Sequence, residues 1–170
     1  EMNRDFDKAV EAQVYRINYQ TEHFPDTDFV PVFNLALLGE GVVPSMFGSE
    51  QMIVEDQPPF QVGRILSDIS EVDKLPERIN PEKDGWGARV KELCLKWLDE
   101  TDCQVPIEVN DHQSPYGVAT KLIGNEDLIY AMYDEPELVH KLLGICTNAI
   151  IDAAEAMQSY CGKENVILNS

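Results

Sequence analysis

No window of this chain approaches the run of roughly 18 apolar residues that a bilayer-spanning helix needs, and Glu1-Met2-Asn3-Arg4-Asp5 has no basic stretch leading into an apolar one. A membrane partner and an export signal are therefore not expected, and the expected location is cytoplasmic. Bases are scarce too, with 13 Lys and Arg against 31 Asp and Glu, a formal charge of -18. Such a surface repels phosphate backbones, so no nucleic acid partner is expected. The acids divide evenly, 17 in residues 1–85 and 14 in 86–170, so they form no tail and read as a solvated surface. Cysteine is limited to Cys94, Cys103, Cys146 and Cys161, with no C-x-x-C pair and no His at zinc-ligand spacing. Buried, reduced thiols are the expectation. No G-x-G-x-x-G or Walker pattern follows a strand into a helix, which leaves Gly39 and Gly41 without a phosphate-cradling role.

What remains is ordinary globular material, 44% hydrophobic and 26% charged over 170 residues. A chain of this length can bury roughly 70% of the surface it exposes when unfolded. Phe6, Val10, Val14, Ile17 and Tyr19 recur at close to helical spacing and predict a helix over 5–23, with Pro25 just beyond it. Residues 29–34, 105–110 and 165–169 are short apolar runs read as buried strands. Pro106 is a blemish in the second, because proline removes a ladder donor. Trp86, Val90, Leu93, Cys94 and Trp97 lie on one face of a helix reaching about Asp99. Shorter helices are expected near 118–123 and 126–133, and a long one over 136–160 that Gly162 would cap. Residues 39–63, broken by Gly and Pro, read as a long loop with at most a strand at 52–54 and as a candidate site wall.

Helices between uniformly apolar strands imply crossover connections and a parallel sheet in one α/β domain. In such folds functional groups gather at the carboxyl ends of the strands, which here directs attention to Asn34, to residues 110–114, and to Asn169 and Ser170. His112 beside Asp111 has the makings of a proton-moving pair. Asn34 could bind a carboxylate or carbonyl, or cap the next turn. Gln113, Tyr116 and Lys121 are the further substrate-binding candidates, Lys121 as an anchor for an anion. His23 and His140 read as structural.

Two stretches carry a family resemblance: residues 31–59, PVFNLALLGEGVVPSMFGSEQMIVEDQPP, and 112–143, HQSPYGVATKLIGNEDLIYAMYDEPELVHKLL. Ser114-Pro115-Tyr116-Gly117-Val118-Ala119 and Asp134-Glu135-Pro136-Glu137-Leu138-Val139-His140-Lys141-Leu142-Leu143 resemble paired motifs of the uroporphyrinogen decarboxylase family. The resemblance implies a (β/α)₈ TIM barrel, which takes about 250 residues, so this chain is expected to be an interior part of one and inactive alone. Where the decarboxylase branch carries a Tyr after the Pro-aromatic pair, this chain has Lys121. Ile65-Leu66-Ser67-Asp68-Ile69 imitates the branch's catalytic Asp segment, but it lies after Pro58-Pro59 rather than on an early strand and reads as coincidence.

The resemblance also implies methyltransferases that work with corrinoids and use zinc, bound in the second half of the barrel, to activate a thiol. The expectation is thus methyl transfer involving a corrinoid or thiol. Decarboxylation of a porphyrinogen's acetate side chains and a non-catalytic binding role stand as alternatives. No cofactor is visible in the chain itself, zinc would be held outside it, and the expected partners are a tetrapyrrole or other small molecule, a corrinoid protein and a second copy of the chain.

Overall fold

The computed structural model describes residues 5–55, 57–109 and 112–167. Asp5 opens helix α1 (Phe6–His23) by accepting from the backbone N–H groups of Asp7 and Lys8, the usual capping role of a short acidic side chain. Strand β1 (Phe33–Asn34) follows, then a 3₁₀ turn over 35–38 and the short helix α2 (Val42–Met46). Strands β2 (Glu50–Met52) and β3 (Phe60–Val62) form an antiparallel hairpin of their own. After a 3₁₀ segment over 69–74 come α3 (Gly87–Glu100), β4 (Ile107–Glu108), α4 (Pro115–Ile123), α5 (Asn125–Asp134), α6 (Pro136–Cys161) and β5 (Val166–Ile167).

The three strands expected from apolar runs do form one parallel sheet, in the order β1-β4-β5, with Phe33 opposite Ile107 and Ile107 opposite Val166. Each contributes a buried residue followed by a more exposed one. They are shorter than the sequence runs, because the paired ladder begins only after Pro106. The proline carbonyl still serves the sheet by accepting from Phe33 N–H at 2.9 Å, so its missing donor falls outside the paired residues.

The reading of 39–63 needs correcting. It holds a helix and a hairpin, and the strand expected at 52–54 is Glu50–Met52 instead. Its outward positions are polar or exposed, so burial pattern could not announce it; cross-strand pairing made it. The helix expected at 118 begins three residues earlier, where Ser114 Oγ accepts from Gly117 N–H at 3.1 Å and Pro115 takes the first helical position.

The core wraps the long helix α6, against which α3, α4 and α5 all pack. Phe33 of β1 and Trp97 of α3 are fully buried and stack with centroids 4.3 Å apart. The indole N–H, which cannot be left unpaired inside, donates to Val105 O at 2.8 Å and ties α3 to the approach to β4. Arg78 reaches across to the nearly buried Asp152 of α6 through two hydrogen bonds from one guanidinium, pinning the 69–80 segment to the helix.

Candidate functional site

Parallel pairing in register puts Asn34 and Glu108 side by side at the carboxyl ends of β1 and β4. Asn34 Nδ2 donates to Glu108 Oε2, its Oδ1 accepts from Ala36 N–H at 2.7 Å, and its carbonyl accepts from Gln13 Nε2 at 3.2 Å. The amide thus caps the turn after β1, binds the neighbouring carboxylate and receives α1. Both ends of its side chain are engaged within the protein, so the capping role weighed for Asn34 is the one it performs here. Glu108 is the residue sequence reasoning passed over. Its signal was present as a lone acid in an otherwise apolar run, half-buried at the sheet end where parallel folds place chemistry.

Beyond β4, Asp111 lies outside the described residues, as do Asn110, Asn169 and Ser170. His112 is half-buried, and both its ring nitrogens are shielded from solvent. Gln113 adopts φ of 59°, an uncommon left-handed conformation for a residue other than glycine, and turns the chain into α4. A Cβ at position 117 would stand 3.1 Å from Gln113 Cβ, so Gly117 lets the Gln113 side chain lie against the first turn. Tyr116 donates its hydroxyl to Asn125 Oδ1 at 3.0 Å, bracing α4 against α5, while more than a third of the side chain stays exposed.

A cleft of about 400 Å³ opens between the loop after β1, the β2–β3 hairpin and the end of α4. Gly39, Glu40, Pro59, Phe60, Gln61 and Lys121 face it. Residues 39–41 and 58–61 of the stretch 39–63 therefore do wall the cleft. Gly39 is required twice: φ is 70°, and a Cβ there would sit 2.6 Å from Pro59 O. Lys121 enters from the last turn of α4 and pairs with Glu40 at 3.1 Å, while its carbonyl accepts from Gln61 Nε2. Gln61 Oε1 is buried without a hydrogen-bond donor. Of the residues nominated from sequence, Lys121 borders this cleft; Asn34, His112, Gln113 and Tyr116 stand at the strand ends and the start of α4.

Asp68, in the segment that imitates the decarboxylase Asp, caps the 69–74 turn by accepting from Ser70 N–H at 2.8 Å. Its hydrogen bonds with Ser70 hold the carboxyl below the ordinary range. A carboxylate spent on a surface cap supports the reading of that segment as coincidence. Among the described residues no group of three His, Cys, Asp or Glu could hold a metal ion, and no helix is long and apolar enough to cross a membrane.

Compared with known proteins, residues 27–162 match the family model for uroporphyrinogen decarboxylase (URO-D). No curated protein matches the chain. Among solved structures, a methyltransferase from Methanosarcina mazei is similar with a TM-score of 0.64 and 20% identity, over 89% of this chain and 43% of that one. The likeness is one of fold, and the chain spans less than half the length of that structure.

Proposed function

Because the chain belongs to the uroporphyrinogen decarboxylase family, we propose that the whole protein is a methyltransferase-like member, moving a methyl group between a corrinoid and a small thiol. The observation that carries this reading is Lys121, a lysine ion-paired to Glu40 in a cleft, where the decarboxylase branch has a tyrosine. The methyltransferase name of the Methanosarcina mazei structure lends support in the same direction.

A cleft of about 400 Å³ sits at the small end of the range for small-molecule sites, roughly 300–1,000 Å³. It suits an acceptor of modest size and does not fit a corrinoid macrocycle, which this reading leaves on a partner protein. Nor do the described residues fit zinc, and the reading assigns that ion to other residues. A corrinoid held by a partner protein would supply the methyl group. What this chain contributes is binding and proton handling. Lys121 exchanges Glu40 for an anionic group of the acceptor, and Phe60 and Pro59 give it an apolar wall. His112, between β4 and α4 rather than on the cleft wall, and Asp111 beside it in sequence are the chain's candidates for moving the acceptor's proton.

The test is an assay of the full-length protein with methylcobalamin and a thiol, in parallel with a porphyrinogen. Methyl transfer without carbon dioxide release is the expected result. Release of carbon dioxide from the porphyrinogen would establish decarboxylation instead, and silence in both arms a binding role.

A further inference from the structure

The cleft between the loop after β1, the β2–β3 hairpin and the end of α4 carries one charge of each sign. Among the described residues that line it, Glu40 and Lys121 are the charged ones, and they stand 3.1 Å apart. Their backbones are fixed. Gly39 donates its N–H to Ala36 O at 3.0 Å and lies too near Pro59 O for any Cβ, which sets the Glu40 backbone against the hairpin. The end of α4 is tied down twice, by Gln61 Nε2 donating to Lys121 O and by Arg64 Nη1 donating to Ile123 O at 3.0 Å. The two side chains are freer, 54% exposed for Glu40 and 38% for Lys121. An ion pair as exposed as this contributes little to stability, so a ligand can open it readily.

The charges decide what can open it. A plain anion that takes Lys121 leaves the Glu40 carboxylate unpaired beside it, and like charges that close repel. The whole chain adds to the opposition, since its formal charge of -18 disfavours the approach of any anion. A plain cation on Glu40 strands the Lys121 ammonium in the same way. A molecule bearing both charges strands neither group, and its net neutrality removes the long-range repulsion. The 3.1 Å spacing of the pair suits two charges held close together, as they are around the α-carbon of an amino acid. Phe60, Pro58 and Pro59 then offer an apolar wall to the side chain.

We propose that the cleft recognises a small zwitterion of the α-amino-acid type, its carboxylate on Lys121 and its ammonium on Glu40. The proposal rests on the reading of this cleft as the acceptor's site and narrows it, making the acceptor an amino acid that carries the thiol. Glu40 then sets specificity. In the empty cleft its carboxylate neutralises Lys121, and in the filled one it rejects an acceptor that brings an anionic group without a cationic one.

Three thiols that differ only in their charged groups provide the test: L-cysteine carries both, 3-mercaptopropionate lacks the ammonium, and cysteamine lacks the carboxylate. Titration calorimetry of the full-length protein at neutral pH is expected to give L-cysteine an affinity on the order of tenfold or more above either, the size of one charge-assisted hydrogen bond. Glu40→Gln should erase the preference over 3-mercaptopropionate, and Lys121→Gln the preference over cysteamine. Equal binding of 3-mercaptopropionate and L-cysteine to the wild type would overturn the proposal while leaving a simple anionic acceptor in place. Binding of none of the three would overturn it as well, as would a Glu40→Gln protein that keeps the full preference. L-cysteine bound with the expected preference, but no methyl transfer to it from methylcobalamin, would uphold the zwitterion site and refute the methyltransferase reading instead. The wild-type comparison decides the question even where a variant fails to fold.

Discussion

Glu108 and Asn34 hold each other at the carboxyl end of the sheet, and a charge-assisted pair of this kind depends on the acidic partner more than on its shape. Glu108→Gln keeps the size but loses the charge, and is expected to weaken the lock on β1; Glu108→Ala should loosen it further. Amide hydrogen exchange of Phe33 and Ala36 would report this, and unchanged protection in the alanine variant would show that the pair is incidental. For His112, replacement by Ala should lower turnover of the full-length protein at least tenfold, given the roughly 10²–10⁴-fold contribution of a positioned acid or base. An unaltered rate would return His112 to a loop role. A third residue, Glu71, governs behaviour in acid. The Lys74 ammonium, then the backbone and hydroxyl donors of Ser67, lower its carboxyl from 4.5 to about 2. A group depressed in the folded state stabilises it above its unfolded pKa and loses that contribution as pH falls through the folded one. Wild type should therefore exceed Glu71→Gln in urea resistance at neutral pH, with the gap closing between about pH 4.5 and 2.

At the scale of elements, the Phe33–Trp97 stack is what joins the sheet to α3. Trp97→Ala removes a fully buried indole and orphans Val105 O, so a loss of about 3–5 kcal/mol by denaturant titration is expected. The start of α4 is held more lightly. Ser114→Ala deletes its cap and should cost about 1 kcal/mol, read as a smaller shift of the same midpoint. The hairpin owes its place to Gly39, where any side chain would meet both a left-handed backbone and Pro59 O. Loops bearing chemistry are commonly held this way, by backbone contacts that tolerate no Cβ.

For the molecule as a whole, membership of the uroporphyrinogen decarboxylase family goes with an α/β fold built on the parallel β1-β4-β5 sheet. The match takes in 89% of this chain and 43% of the similar methyltransferase, and sites in closed barrels draw residues from several strands. Residues 1–170 assayed alone, with porphyrinogens or with methylated corrinoids, are expected to show no turnover. Robust activity from this chain would mean that its own strands and their loops suffice.

The amino-acid sequence alone determined the longer helices and the parallel sheet, because both are written in local patterns. A periodic apolar stripe has to be buried, as along α6, and Gly162 ends that helix wherever its partners lie. Uniform apolar runs likewise announced strands covered on both sides. The motifs around Ser114 and Pro136 carried the family. Contacts between distant positions were decided only by the tertiary structure. Glu108 became part of the site because parallel register set it beside Asn34, 74 positions away; Lys121 met Glu40 because the end of α4 and the loop after β1 close on one cleft. The hairpin at 50–62 was invisible for the same reason, since its strands are half exposed and stable only through each other. Periodicity records which face of an element is buried. It does not record what the face is buried against, because that depends on residues far away in the chain.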